Sequence, residues 1–353
     1  MTDKNTNIQW LDSIRVMATL GVILIHISTP VVNMCWNGNM PYWWIGNIID
    51  STVRNAVPLF LMLSGATLLG REYRLKDFYQ RRFGRVLIPF LFWLVVYIAY
   101  WWFTRFAPTH PNHDFAASVQ WAVQLFLHEG ISKHFWYIYM ILFIYLIVPF
   151  LGKWLKKLNL TTISNILLLW ALLAFVCKST PLNMYNWSVD YGSKFLGYFL
   201  YTGYLVLGYY LYKLPVNASK LRLFAGIVFV LTIAVSAETT YLLSTKAHSL
   251  DLNMYAYLSI NTIIQSIAFF LLFKDFTVKN RLISTVLRAI SHYSYGIFMV
   301  HIIVIDVLYH NGIFWTISNP ALSLPLIEIL VAGLSIAVIF ILRKIPYGKL
   351  ISG

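Results

Sequence analysis

Two ionisable residues interrupt the apolar segment RVMATLGVILIH, which begins at Arg15 and ends at His26. Ionisable side chains are costly in hydrocarbon, and within membrane helices they usually mark a pathway or a reaction. The separation of eleven residues turns an α-helix through about 1100°, which is within about 20° of three full turns. Arg15 and His26 are therefore predicted to share one helix face, about 16 Å apart along the axis.

These residues predict a base inside the apolar segment and a paired cation at one end of the same helix face. Asp12 precedes Arg15 by three residues, a spacing that favours an ion pair on one helix face. His26, about halfway across the segment, could accept a proton near neutral pH. The structural alternative is a core histidine satisfied by a neighbouring helix, with Arg15 as a topology anchor whose head group reaches the membrane surface.

A second candidate site lies in the sequence QRRFGRVLIPF, residues 80–90. Arg82 and Arg85 are three residues apart at the start of a predicted span, and Arg81 adjoins them. Paired guanidinium groups fit phosphate well, because each planar fork can donate to two oxygens. Ordinary basic residues at a membrane surface would show the same RxxR spacing, so that interpretation stays open.

Two further histidines lie where a base could act. His301, in SYGIFMVHIIV, lies about twelve residues into its apolar segment, at a depth similar to that of His26. His134, in SKHFWYIYM, opens another apolar segment. A single intramembrane histidine is usually structural, whereas two at matching depth favour a functional interpretation.

No metal site is predicted. The loop that contains His110, His113 and Asp114 also contains prolines and is expected to be solvated, and no HExxH, CxxC, Walker or GxSxG motif occurs. The two cysteines of the chain, Cys35 and Cys177, form no metal-binding motif and are expected to be free apolar residues. Because both are predicted to lie near outer helix ends, a disulfide between them stays open.

The elements that must position these residues are membrane helices. Of the 353 residues, 59% are hydrophobic and 11% are charged, against about 25% charged in soluble domains. The predicted fold is all-α, a polytopic membrane protein with about ten spans of the length that a bilayer requires. The spans are predicted near 11–33, 50–69, 86–106, 134–151, 161–178, 194–212, 223–243, 255–273, 289–310 and 322–342.

The positive charge of the chain, +14, is concentrated in alternate predicted loops and at the two ends. These regions hold 21 of the 27 Lys and Arg residues. The positive-inside bias therefore predicts that both termini are cytoplasmic and that 35–48 and 107–132 face outward. Because this distribution accounts for the basic excess, no nucleic-acid partner is expected.

Residues 1–353 are predicted to form a single membrane domain, with no appended soluble domain and no cleavable signal peptide. The predicted outer connection contains FAASVQWAVQLFLHEG, in which apolar residues recur at helical spacing. This pattern favours a helix that lies in the outer membrane interface.

Several of these segments, taken in order, resemble the acyltransferase 3 family of membrane proteins. The resemblance rests on WLDSIRVMATLGVILIH, VPLFLMLSGATLLG, RRFGRVLIPF, HFWYIYMILFIYLIVPFL and SHYSYGIFMVHII. Within the family, the chain is similar to polysaccharide O-acyltransferases such as those that acetylate enterobacterial common antigen. It departs from many members at Val16, where they have glycine after the first-helix arginine.

The resemblance implies transfer of a short acyl group, commonly acetyl, from cytoplasmic acetyl-CoA or another acyl-CoA to a sugar hydroxyl. The acceptor would be a lipid-linked or cell-surface glycan at a bacterial inner membrane, and no metal is implied. Arg15 and His26 would be essential, and Arg82 and Arg85 would serve the acyl donor. The full set of catalytic candidates is His26, Arg15, Asp12, His301 and His134, and that of donor-binding candidates is Arg82, Arg85, Arg81 and Arg15.

The alternative function is transport or flipping of a lipid-linked sugar or polysaccharide, because many spans with intramembrane charges also fit a translocation path. Within the enzyme interpretation, the sequence does not choose between acetyl and succinyl as the acyl group, and it predicts no oligomeric state. It also leaves open whether His26 acts as a general base or carries the acyl group itself.

Overall fold

A computed structural model describes residues 3–111, 114–179, 191–215 and 217–353 of the chain. Over these residues the secondary structure is helical, without a β-strand. Eight helices of this described part are long and apolar enough to cross a membrane. The prediction of an all-α polytopic membrane protein is confirmed.

The described residues form fourteen α-helices, most of them close to the predicted spans. Their bounds are α1 Asp3–Cys35, α2 Met40–Val53, α3 Ala56–Leu68, α4 Leu75–Trp101, α5 Ala107–Thr109, α6 Phe115–Gln124, α7 Trp136–Leu155, α8 Leu160–Ser179, α9 Tyr191–Lys213, α10 Ala218–Ala247, α11 Ile260–Phe273, α12 Arg281–His310, α13 Pro320–Leu342 and α14 Gly348–Ile351. Short π-helical turns, Trp102–Phe106 and Leu125–Glu129, follow α4 and α6. The 3₁₀ turns are Lys133–Phe135, Asn253–Tyr255 and Trp315–Ile317.

The predicted span 50–69 differs from the structure, because the chain there is broken into the end of α2 and the whole of α3. Pro58 explains the break: it has no N–H to donate to the carbonyl of Arg54, four residues earlier, and its ring would clash with that carbonyl. Arg54 and Asn55 form the turn, and the Leu59 N–H then bonds to the Asn55 carbonyl at 2.9 Å. With 14 and 13 residues, α2 and α3 are each shorter than a typical span.

The predicted span 194–212 corresponds to α9, which packs closely on α3. A Cβ added to Gly65 would lie 1.9 Å from the carbonyl oxygen of Leu205, and one added to Gly208 would lie 2.0 Å from that of Met62. Glycines therefore let the two backbones touch. Small residues at such crossings are a usual way for helices to associate in a bilayer, where apolar burial gives little driving force.

The described residues form two compact units. The first comprises Met1–Glu72 and Phe150–Ile336, and the second comprises Tyr73–Pro149 and Ala337–Gly353. Of the candidate residues, Asp12, Arg15, His26 and His301 belong to the first unit, and Arg81, Arg82, Arg85 and His134 belong to the second. That 1–353 act as a single membrane domain stays a prediction.

In the second unit, the predicted interfacial helix is present as α6. Asp114 begins it by accepting a hydrogen bond from the Ala117 N–H at 2.7 Å, as an N-cap residue should. None of the α6 side chains is buried. The helix is thus confirmed, while its position in the outer interface stays a prediction.

The cytoplasmic location of both termini also stays a prediction, and single-cysteine labelling tests it. Cys35 and Cys177 form no disulfide in the structure, so replacing both with Ala gives a background without cysteine. On intact spheroplasts, an impermeant maleimide should label Gln120→Cys and should leave Lys76→Cys unlabelled until detergent is added. Labelling of Lys76→Cys alone would reverse the topology.

Candidate active site

The helix face that carries Arg15 and His26 is turned towards α12. Arg15 contacts Ser291 at 2.9 Å, and the ring centroid of His26 lies 5.2 Å from that of His301. The two contacts are eleven residues apart on α1 and ten apart on α12, so the helices run in the same direction with nearly matched register. The prediction that Arg15 and His26 share a face is confirmed.

At one end of this face, three side chains form a closed triangle. Arg15 Nη1 donates to Asp12 Oδ1 at 3.0 Å and to Ser291 Oγ at 2.9 Å. The Ser291 hydroxyl donates in turn to Asp12 Oδ1 at 2.6 Å. The predicted ion pair is therefore confirmed, whereas sequence reasoning missed Ser291. The sequence feature that could have identified Ser291 is its position ten residues before His301, which nearly matches the eleven residues between Arg15 and His26.

The triangle fixes the guanidinium of Arg15 without enclosing it. The Arg15 side chain is 32% exposed and that of Asp12 is 12% exposed. Both bonds use Nη1, so the remaining N–H groups of the fork can donate to an added oxyanion. A planar guanidinium held in place in this way is well suited to a phosphate or carboxylate.

At the other end of the face, His26 and His301 form a pair of imidazoles whose ring planes are inclined by 46°. His26 is half-buried, and His301 is fully buried. The predicted match in depth is confirmed.

The hydrogen bonds of His301 define its tautomer. Its Nδ1 lies 2.7 Å from the carbonyl oxygen of Phe298 and 3.2 Å from that of Ile297. Because carbonyl oxygens only accept, we assign the proton of the neutral ring to Nδ1 and the lone pair to Nε2. This arrangement fixes the ring and is suited to positioning the neighbouring imidazole of His26.

A narrow cavity, with about 170 Å³ of empty space between atoms but too tight to hold a water molecule, lies along the same face, between the levels of Arg15 and His26. The lining residues on α1 are Thr19, Val22 and Ile23, which lie between Arg15 and His26 on the same helix face. Apart from one threonine and one histidine the lining is apolar, so the cavity suits an apolar group better than a charged one, and its side chains would have to move apart to admit a chain. It is lined by Thr19, Val22, Ile23, Phe60, Ile297, Phe298 and His301.

In the second unit, the arginines of the RxxR segment lie between the seventh and eleventh residues of α4. Arg81 and Arg85 are exposed, and Arg82 is half-buried. On a continuous helix, the separation of three residues places Arg82 and Arg85 on neighbouring positions. Both guanidinium groups are therefore accessible to an anion, and their donor-binding role stays a prediction.

His134 is also in the second unit, in the 3₁₀ turn that opens α7 as predicted. It is buried, with Nδ1 2.8 Å from the Ser132 hydroxyl and with the rings of Tyr97 and Phe135 at centroid distances of 5.4 and 4.5 Å. Such an aromatic setting is typical of a structural histidine. Its catalytic role rests on the resemblance and stays a prediction.

Within the described ranges, no three His, Cys, Asp or Glu side chains come together as metal ligands. His110 Nδ1 lies 2.9 Å from the Thr109 hydroxyl, and Asp114 caps α6. His113 lies outside the described residues.

These features define a polytopic membrane protein with two histidines packed together between its apolar helices. A family model described as an acyltransferase domain matches residues 8–344, and the chain therefore belongs to the acyltransferase 3 family. Neither the curated proteins nor the solved structures gave a match. Membership makes the protein a membrane acyltransferase, which implies an acyl donor and an acceptor substrate.

Proposed function

We propose that this acyltransferase moves a short acyl group, commonly acetyl, from cytoplasmic acyl-CoA to a sugar hydroxyl of a lipid-linked or cell-surface glycan. The observation that carries this proposal is the order of groups along one face of α1: an anchored arginine, an apolar cavity and a histidine pair. The resemblance to polysaccharide O-acyltransferases, including those of enterobacterial common antigen, supports the bacterial inner membrane as the location and a glycan as the acceptor.

The dimensions of the face match the donor. The nucleotide phosphates of acyl-CoA are anionic and cannot enter hydrocarbon cheaply, but the exposed fork of Arg15 can bind them at the membrane surface. The pantetheine arm is long, thin and uncharged, and in this proposal it follows the apolar cavity beyond Thr19 as the lining side chains move apart to admit it. Arg15 and His26 are about 16 Å apart along the axis, which would bring the thioester to the histidine pair.

In the proposed reaction, the imidazole of His26 takes the proton of the sugar hydroxyl as that oxygen attacks the thioester carbonyl carbon. The tetrahedral intermediate then collapses with cleavage of the carbon–sulfur bond. The leaving CoA thiolate takes up the proton from His26, so the enzyme returns unchanged. In the second route, His26 attacks the thioester carbonyl carbon and the carbon–sulfur bond breaks to release the CoA thiolate. The sugar hydroxyl then takes the acyl group from the imidazole, and its proton passes to the thiolate.

His301 and Asp12 act through other residues in this scheme. The Nε2 lone pair of His301 would orient the ring of His26, and Asp12, together with Ser291, would hold Arg15 in place. Both are positioning residues. Arg82, Arg85 and Arg81 are assigned to the donor phosphates on the strength of their spacing and the resemblance, independently of the geometry around Arg15.

The release of CoA tests the proposal directly. Purified protein in detergent, given acetyl-CoA with a ¹⁴C-labelled acetyl group and membrane glycolipids, should release free CoA thiol and label the glycolipid. A matched sample of His26→Gln should do neither. A transporter would bind or move its cargo without cleaving a thioester, so wild-type protein that leaves acetyl-CoA intact would contradict the proposal.

The RxxR arginines give a second prediction. Arg82→Ala and Arg85→Ala should each raise the KM for acetyl-CoA by about 10- to 100-fold, because each loses a charged hydrogen bond to phosphate. The KM for the glycan should change much less. Lysine should restore little of the loss, since it offers no planar fork.

The control for these variants is Arg74→Ala, which removes an exposed arginine from the start of the same helix. Its donor kinetics should equal those of the wild type. An unchanged KM in all three variants, together with reduced membrane insertion, would show that Arg82 and Arg85 are topology anchors.

A further inference from the structure

A second set of buried polar groups lies on α2 and its C-cap residue. Trp43, Asn47, Asp50 and Arg54 follow one another at intervals of four, three and four residues, which places them on one helix face. Trp43, Asn47 and Asp50 are 0% exposed, and the Arg54 side chain is 12% exposed. We refer to these four residues as the α2 stripe. Buried charges within a membrane protein are costly and usually functional.

The α2 stripe is held in place from one side by Tyr255. Arg54 forms an ion pair with Asp50, and its guanidinium lies 4.2 Å from the centroid of the Tyr255 ring. The hydroxyl of Tyr255 donates to Asn47 Oδ1. Asn47 Nδ2 donates to the carbonyl of Ala237, on α10, at 2.9 Å. These contacts fix the orientation of the polar groups.

Three atoms of the α2 stripe nevertheless have no hydrogen-bond partner among the described residues. They are Trp43 Nε1, Asp50 Oδ1 and Arg54 Nε, and the Ser28 hydroxyl also lies near the Asp50 carboxylate. Buried polar atoms are nearly always bonded to protein, water or a ligand, so three on one helix face favour a polar molecule at this position. Trp43 Nε1 and Arg54 Nε are donors, and Asp50 Oδ1, which lies between them along the chain, is an acceptor. A ligand that satisfies all three must both donate and accept, as hydroxyl groups do.

Sugars carry flat C–H faces as well as hydroxyl groups. The aromatic rings around Trp43 could pack against such faces. The ring centroids of Trp36, Trp44 and Tyr241 lie 4.9, 5.2 and 6.0 Å from that of Trp43. Trp36 and Trp44 are only half-buried, so part of their surface is accessible. This aromatic group lies near the Cys35 end of α1, which the charge distribution predicts to face outward.

The other end of the α2 stripe reaches the depth of His26. The Thr29 hydroxyl lies 3.5 Å from Asp50 Oδ2, and a Cβ added to Gly21 would lie 3.0 Å from Ala56 Cβ. Asp50 precedes the turn at Arg54 and Ala56 follows it. Because Asp50 contacts Thr29 and Ala56 lies beside Gly21, the turn lies alongside residues 21–29 of α1. The α2 stripe therefore extends from the predicted outer end of α1 to the level of the histidine pair.

We propose that the α2 stripe binds the hydroxyl groups of the sugar acceptor, with Asp50 and Arg54 nearest the reacting hydroxyl and Trp43 farther out. This proposal rests on the proposed function and adds an acceptor site to it. The donor enters the face of α1 from the Arg15 end, and the acceptor enters along α2 from the Cys35 end. The two substrates meet at the depth of His26.

Two variants test this acceptor site. Trp43→Phe keeps a ring and removes an N–H that has no partner within the described structure, so it removes no internal hydrogen bond. The double variant Asp50→Asn/Arg54→Gln removes both charges together, so that neither is left unpaired. The probes are acetyl-CoA with a labelled acetyl group and membranes of the native host deleted for the chromosomal gene, which supply the glycan.

We expect transfer to the membrane glycan to fall by about 2- to 10-fold in Trp43→Phe and by about 10- to 100-fold in the double variant. The Kd for acetyl-CoA, measured by calorimetry on purified protein, should stay within about twofold of the wild type, because the donor site is unchanged. The control, Asp306→Asn/His310→Gln, replaces an Asp–His pair of the same spacing on α12. It should retain full transfer.

Equal losses of acetyl-CoA binding and of transfer would show that the α2 stripe only supports the fold, and would overturn the acceptor site. Full transfer by the double variant, or by well-folded Trp43→Phe, would overturn it as well. A wild-type protein that neither binds acetyl-CoA nor labels glycan would instead refute the proposed function, and the acceptor site with it.

Discussion

His26→Gln is expected to lower the rate of acyl transfer by at least about 100-fold, because a general base contributes about 10²- to 10⁴-fold to the rate. Glutamine can hydrogen-bond but cannot accept a proton near neutral pH. Since His26 is half-buried and adjoins His301, a polar side chain of similar size should be tolerated there. The variant should therefore insert, purify and bind acetyl-CoA like the wild type.

The measurement is the single-turnover rate at saturating acetyl-CoA, together with the Kd for that donor. His292→Gln is the matched control, because His292 is an exposed histidine on α12, and its rate should not change. His301→Gln should show a smaller loss, as expected for a positioning residue. A well-folded His26→Gln protein that turns over at a near-wild-type rate would remove His26 from the mechanism.

Arg15→Gln is expected to lower kcat/KM for acetyl-CoA by about 100-fold or more, mainly through KM. The variant loses a cation that binds phosphate, and it leaves the carboxylate of Asp12 without its partner at the entrance. An unbalanced negative charge repels an anionic donor. The lost phosphate contact and the repulsion by Asp12 both weaken donor binding. The fall in kcat/KM for acetyl-CoA should therefore exceed that caused by replacing Arg82 or Arg85.

A double variant separates the two causes. Asp12→Asn/Arg15→Gln removes the repulsive carboxylate together with the arginine, so it should recover part of the lost donor affinity relative to Arg15→Gln alone. Arg281→Gln, at the exposed start of α12, controls for the loss of one basic charge. A double variant no better than the single one would show that Asp12 exerts no repulsion, and an unchanged KM in both would make Arg15 a topology anchor.

The helices and the shared face of Arg15 and His26 could be predicted from sequence because both depend on local periodicity. Apolar length identifies a span, and the turn of 100° per residue fixes which residues of one helix share a face. The ion pair of Asp12 and Arg15 follows from the same geometry. What periodicity does not determine is which helix lies opposite. The contacts with Ser291 and His301 required α12 to lie parallel to α1.

The α2 stripe shows why part of the site could not be predicted. With a single span expected at 50–69, Asp50 and Arg54 lay at its outer end, where charges are ordinary. In the structure α2 begins at Met40 and breaks before Pro58, which moves the pair to the depth of His26. The signal was present in the intervals between Trp43, Asn47, Asp50 and Arg54, but its meaning depends on tertiary packing.

The central claim is that one face of α1 carries an acyl group from a cytoplasmic donor to an acceptor that enters from the opposite side. Sealed inside-out vesicles test it most directly. Acetyl-CoA with a labelled acetyl group is added outside, where the cytoplasmic face is exposed, and an impermeant esterase then removes any accessible ester. We predict label on the glycan that resists the esterase until detergent opens the vesicles, and no label in His26→Gln vesicles. Label that the esterase removes from sealed vesicles, or intact acetyl-CoA with no label at all, would contradict the account.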